Sequence, residues 1–230
     1  MKLPFSEVWL LNLAERPDRY KKMRERIDYM GWDVKDIIVV EHPTSNKIVD
    51  KLGEGLGGIG HEILNGGIYN ITREQYTIIK SAYLRGVKTV GIIEDDTSFL
   101  KDLNMWEEYM RILPKNWNVL RVGCLRGMAE HSDDKTPEWV RLDHPIYGNG
   151  FYILDRKAMK YYIDSIDNHY VPADIVFSEP NNDINIFIPK HELCLNMADS
   201  LKSSVRVITP LDMFHMQYKS IQGIDFNNYI

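Results

Sequence analysis

The apolar run Val90 to Ile93, in the stretch GVKTVGIIEDDTSFLKD, stops at three adjacent acids, Glu94, Asp95 and Asp96. β-Branched residues dominate the run, which predicts a strand buried on both faces, as in a parallel sheet. Acids are costly inside a core, so a buried strand cannot continue through three of them. They belong just past its carboxyl end. In open α/β sheets that is the rim where ligands bind. Clustered carboxylate oxygens suit a hard cation such as Mg²⁺ or Mn²⁺. The competing reading is a solvated turn that caps the next helix.

The rest of the chain supplies the sheet. Val8 to Leu13, VWLLNL, predicts a first strand with Asn12 near its carboxyl end. Pro17 suits the first turn of a helix, whose apolar set is Tyr20, Met23, Ile27 and Met30 and whose end is Gly31. Ile37 to Val40 predicts the next strand. The opening is therefore strand, helix, strand, which implies a parallel crossover. Thr72 to Arg85 predicts a helix opened by a Thr72–Gln75 capping box and ended at Gly86. Asp102 caps a further helix that reaches Leu113, and Pro114 stops it. Strands follow at Val119 to Cys124, Trp139 to Leu142 (an edge) and Phe151 to Leu154, the last after a Gly148-Asn149-Gly150 turn signal. Asp155 caps a helix to about Asp164. Ile184 to Ile188 and Val205 to Ile208 predict the last strands. The fold class is α/β, with a mostly parallel central sheet flanked by helices.

Residues 45–67 hold seven glycines, among them Gly53, Gly55, Gly57 and Gly58. The spacing matches neither a dinucleotide fingerprint nor a P-loop. A lid over the site and an idle surface loop both fit it. No repeat or convincing linker divides the chain, so the expectation is one domain over residues 1–230.

Composition excludes several classes. A formal charge of -5 is no nucleic-acid footprint, although a local patch can hide in that total. Two cysteines make no disulfide framework, which suggests a reducing compartment. Glu7 interrupts the opening residues, so no signal-peptide core is expected, and no apolar run nears a membrane span. A cytoplasmic protein is the expectation.

Three blocks, in order, resemble glycosyltransferase family 25, the lipopolysaccharide-biosynthesis and collagen-galactosyltransferase family. VWLLNLAERPDRYKKM is similar to its opening, a strand ending Asn-Leu and then Arg-Pro-x-Arg. ITREQYTIIKSAYLRGVKTVGIIEDD resembles its helix and Glu-Asp-Asp strand. GNGFYILDRKAMKYYI resembles a later strand and helix. Together they cover about two-thirds of the chain. Thr72 and Arg73 stand where the family usually has Ser-His, and the last third departs from it.

The resemblance implies a GT-A fold, a nucleotide-sugar donor (a UDP-hexose by default), a divalent cation, Mn²⁺ or Mg²⁺, and a hydroxyl acceptor, by default a surface glycan. By resemblance, Asp96 is the first metal ligand, Asp95 a ligand or holder of metal-bound water, and His215 a further ligand from the tail. Asn12, Leu13, Arg16 and Arg19 are carried over as the nucleotide pocket, with Arg suited to pair phosphate. Glu94 would reach the ribose, and alternation along an extended segment puts Glu94 and Asp96 on one face. Thr44 is a base or ribose contact, or only a turn residue beside Pro43. Asp174, the single acid in VPADIVF, is the candidate base of an inverting transfer, or a helix cap, with Asp183 in reserve. The alternatives are a transferase acting on a modified nucleic-acid or protein hydroxyl, a nucleotidyltransferase or phosphoryl-transfer enzyme using the same acids, for which no phosphate-cradling Gly-Lys-Ser/Thr is found, and a non-catalytic nucleotide- or carbohydrate-binding module.

Overall fold

The computed structural model describes residues 3–14, 16–39, 67–125, 136–169 and 173–196. Its elements are β1 (Glu7–Leu13), α1 (Pro17–Met30), β2 (Lys35–Val39), α2 (Gly67–Leu84), β3 (Thr89–Glu94), β4 (Thr97–Phe99), α3 (Leu103–Arg111), β5 (Val119–Leu125), β6 (Trp139–Arg141), β7 (Tyr147–Asp155), α4 (Arg156–His169), β8 (Ile186–Pro189) and β9 (Cys194–Asn196). The Gly-rich segment 45–66, Thr44, most of the 125–138 loop, the expected strand at Val205 and His215 lie outside the described residues.

The strands form one sheet in the order β2-β1-β3-β7-β5-β8-β6, with β9 beside β5 and β4 beside β9. β1 pairs parallel with both β2 and β3, and β5 with β8 and β9. The sheet is mostly parallel and flanked by helices, as the strand pattern predicts. Three strands depart from that rule: the central β7 runs antiparallel to both β3 and β5, β6 runs antiparallel to β8, and β4 to β9. A single apolar run carries no mark of its direction.

Alternation along the strands divides the core in two. Val8, Leu10, Ile93, Leu120, Val122, Phe151 and Ile153 face α1 and α3. Leu11, Val90, Ile92, Val119, Tyr152 and Leu154 face α2 and α4. On the first side Trp32 meets Phe99 at 4.8 Å and Trp106 at 4.9 Å, both edge-on. Such pairs add about 0.5–1.5 kcal/mol each beyond area burial. They anchor β4, and so hold the turn that carries the acids.

Local signals set several boundaries. Asp102 accepts from the Asn104 and Met105 amides, each at 3.1 Å, and caps α3. Asp155 caps α4 through the Ala158 amide at 2.8 Å. Other expectations are corrected. α2 begins at Gly67, so Thr72 and Gln75 lie inside the helix and form no capping box. Gly148-Asn149-Gly150 is no turn. It lies within β7, where Gly148 takes a φ of 79° and the register with β5 slips. β4 and β9, three residues each, are too short to leave a periodic signal. Among the described residues no helix is long and apolar enough to cross a membrane.

Where β9 crosses β5, Gly123 lets the strands approach closely. A Cβ there would come within 2.8 Å of the Cys194 Cβ and 3.1 Å of the Phe151 amide nitrogen. Neither neighbour is a flexible side-chain end. Gly123→Ala should therefore lower stability by about 1–3 kcal/mol, read as a shift of the urea midpoint. An unchanged midpoint would contradict the close crossing.

Candidate functional site

β3 ends at Glu94, and Asp95 and Asp96 form a turn before β4. The register pairs Leu11 with Glu94, so the carboxyl end of β1 lies beside the turn. The turn is pinned on its far side. The Thr97 hydroxyl donates to the Gly150 carbonyl at 2.7 Å, and Arg26 donates to the Thr97 carbonyl at 2.8 Å.

Asp95 is buried and spends both oxygens on the scaffold. One accepts from the Leu13 amide at 3.3 Å, the other from the Arg19 guanidinium at 3.2 Å. Burial raises its pKa, and Arg19 opposes the rise. Asp95 thus ties β3 to β1 and to α1. Arg19, expected to face a phosphate, is itself buried and also lies 3.8 Å from Asp96 Oδ2.

Asp96 is the exposed member of the pair, its side chain 28% accessible against 8% for Asp95. Its Oδ1 is buried and has no hydrogen-bond partner among the described residues. Burial, and then the Asp95 charge, pushes its pKa up to about 6. Glu94 points the other way, toward α2, where its Oε1 accepts from Gln75 Nε2 at 3.2 Å. The turn breaks the strand alternation, so Glu94 and Asp96 meet different helices and do not share a sheet face. Their charges still meet. Burial and then Asp96, Asp174 and Asp95 push the Glu94 pKa well above the usual carboxylate range.

Asp174 is brought to the same region. Thr72, inside α2, accepts from the Ala173 amide at 3.2 Å and fixes the turn that carries Asp174. Burial raises the Asp174 pKa, and the Arg121 charge opposes the rise. Arg121 is fully buried and donates to the carbonyls of Ile146 at 2.8 Å, Phe177 at 2.9 Å and Gly148. A charged residue in the middle of the core strand VLRVGC is a signal that sequence reasoning passed over, as is a glutamine on the apolar face of α2. The buried Tyr162 hydroxyl has no hydrogen-bond partner among the described residues, and its pKa is raised by burial and then by Asp174 and Glu94.

The nucleotide-side residues divide. Asn12 is buried at the end of β1. Its Nδ2 donates to the Leu13 carbonyl at 2.8 Å, and its Oδ1 has no partner among the described residues. The Leu13 main chain is largely committed, because its amide serves Asp95 and its carbonyl also accepts from the Arg16 amide at 2.9 Å. Arg16 makes a two-pronged contact with Asp18, at 3.0 and 2.9 Å. Asp183 is not brought to the acids. It is exposed, and its carbonyl accepts from Lys157 in the first turn of α4. α4 starts beside the amino end of β3, because Asp155 pairs with Thr89 there, so Asp183 sits on the opposite rim.

Two observations bear on a cation. Among the described residues, no three His, Cys, Asp or Glu side chains form a group able to hold a metal ion. The unpaired buried oxygen of Asp96 is nevertheless a hard donor of the kind Mg²⁺ or Mn²⁺ takes. Asp96 thus offers a cation one donor, and the described residues alone do not complete a site.

No family model and no curated protein sequence matches the chain. Two solved structures align over most of it. One is a glycosyltransferase involved in the glycosylation of the major capsid of PBCV-1, at 9% identity and a TM-score of 0.43, covering 94% of this chain and 99% of that one. The other is the inositol-1-phosphate CTP transferase from T. maritima, at 10% identity and a TM-score of 0.30, covering 95% and 79%. At these scores neither neighbour says what this chain does, and the site's own chemistry has to.

The crowding of acids gives a pH dependence. The folded state holds a proton on Asp96 up to about pH 6, whereas the unfolded chain releases it near pH 3.8. Its contribution to stability is therefore full below about pH 4 and lost as pH rises to about 6. With chelator present, Asp96→Asn should match wild type near pH 4 and exceed it at pH 7 by on the order of 2 kcal/mol. Paired urea melts across that range check this, and a difference independent of pH contradicts it.

Proposed function

We propose that this protein is a glycosyltransferase that moves a hexose from a nucleoside diphosphate sugar, a UDP-hexose, to an acceptor hydroxyl. The observation that carries the reading is the buried, unpartnered oxygen of Asp96 on the carboxyl rim of the central strand, with Asp174 on the same rim. The family resemblance in three ordered blocks supports it.

A divalent cation, when bound, supplies positive charge to the diphosphate leaving group. Asp96 would hold it, with His215 from the tail as a further ligand. Asp95 holds the turn, and Arg19 keeps the paired acids in place. Arg16, at the start of α1, is the chain's candidate for phosphate, exchanging Asp18 for the ligand. Asn12, with its free Oδ1, and Thr44 recognise the base, and Glu94 receives the ribose. Asp174 takes the proton of the acceptor hydroxyl as that oxygen attacks the anomeric carbon and the bond to diphosphate breaks. Burial raises the Asp174 pKa and so strengthens it as a base, and the Arg121 charge opposes that rise. Attack opposite the leaving group inverts the anomeric centre. A surface glycan is the proposed acceptor.

The test is a thermal-shift screen of UDP and UDP-hexoses with and without Mn²⁺. UDP with Mn²⁺ should raise the wild-type midpoint. Asp96→Ala should abolish that rise and turnover while keeping an unliganded midpoint at or above wild type. Full turnover in that variant would sink the metal assignment. Asp174→Asn should lower kcat by roughly 10²–10⁴-fold and leave the UDP shift intact. Equal loss of both would remove the base role.

A further inference from the structure

Gln75 lies where a helix would ordinarily carry an apolar residue. It is fully buried on the inward face of α2, the face that carries Ile78, Ile79 and Ala82 into the core. An amide there is costly unless both of its ends are bonded. Both are. Nε2 donates to Glu94 at 3.2 Å, and Oε1 accepts from the Tyr152 hydroxyl at 2.5 Å. Tyr152 is also buried, on the central strand β7. The Glu94 carboxylate, an acceptor, settles which way the amide faces, since a phenol hydroxyl can either donate or accept. Turned over, Gln75 would put an oxygen against the Glu94 carboxylate and an amino group against the phenol. A methionine would fill a similar volume with no such demand, so packing does not call for the amide.

We propose that Gln75 is a positioning residue for nucleotide binding: its amide, locked by Tyr152, holds the Glu94 carboxylate in the orientation that receives a ribose hydroxyl. This rests on the reading of Glu94 as the ribose ligand. α2 then serves the site twice. Thr72 fixes the turn that carries Asp174, and three residues on, Gln75 fixes Glu94. Both contacts come from the inward side of one rigid helix, which is a better platform than a loop.

The experiment is calorimetric titration of UDP, 2′-deoxy-UDP and 3′-deoxy-UDP, each with Mn²⁺, into wild type, Glu94→Gln, Gln75→Met and Tyr152→Phe. Wild type should bind UDP at least about tenfold more tightly than one of the deoxy analogues, the usual worth of a hydrogen bond to a charged group. Glu94→Gln should erase that preference. Gln75→Met and Tyr152→Phe should remove most of it and leave affinity for the analogue unchanged. A purely structural role would weaken all three ligands by the same factor, and that result overturns the proposal. So does a full preference in Gln75→Met when Glu94→Gln has lost it, which leaves the ribose reading standing. A preference that survives Glu94→Gln takes down the ribose reading and this proposal with it. Wild type that binds no UDP takes down the functional reading before any variant is made. Tyr152→Phe decides the matter should Gln75→Met not fold, because it removes one hydroxyl and frees the amide to turn.

Discussion

A single carboxylate, held between a backbone amide and a guanidinium, decides how the rim is built. Asp95 receives the last N–H of β1 and the Arg19 side chain of α1. Both members of the ion pair are nearly closed to solvent, at 8% and 6% side-chain exposure. Losing one partner of such a pair typically costs about 3–5 kcal/mol, because the other charge stays buried. Strand β1, helix α1 and the acidic turn therefore share one anchor. Asp95 is the acid that the scaffold consumes, and that leaves its neighbours for other work.

Those neighbours serve opposite sides of the sheet. Asp96 lies toward α1 and keeps an oxygen without a protein partner. Glu94 lies toward α2, within electrostatic reach of Asp174. All four carboxyl groups are raised by burial, and each of Glu94 and Asp96 is raised further by a neighbouring acid. A solvated turn would leave its acids near their ordinary values. Here repulsion is retained in the folded state, and only protonation or an added positive charge relieves it. Buried, mutually repelling acids of this kind concentrate at functional sites, and a solvated helix-capping turn does not hold its acids this way.

Much of the frame was legible in the residues. β1, β3 and β5 are apolar runs of strand length, and α1 and α3 show helical spacing with end signals on the chain itself. The acids were legible as a rim because no buried strand can carry three of them through a core. The failures are as instructive. Thr72 and Gln75 have the spacing of a capping box, but the same spacing occurs inside a helix, and five residues of helix precede Thr72. The Gly148 stretch looks like a turn because glycine permits one, yet the conformation was spent on a strand irregularity. Asp183 stood in reserve as a base and ended on the far rim, because β7 runs antiparallel to β3 and delivers the start of α4 to the amino end of β3.

The sequence by itself determined that an α/β sheet forms and that three acids end its central strand, since burial and periodicity act locally. Only the tertiary structure decided which acid is consumed by the scaffold and which is left open. The reason is distance along the chain. Asp95 meets a residue 82 positions away, and Gln75 meets one 77 positions away. Hydrogen bonds of that kind leave no periodic trace, and they exist only once the layers have packed.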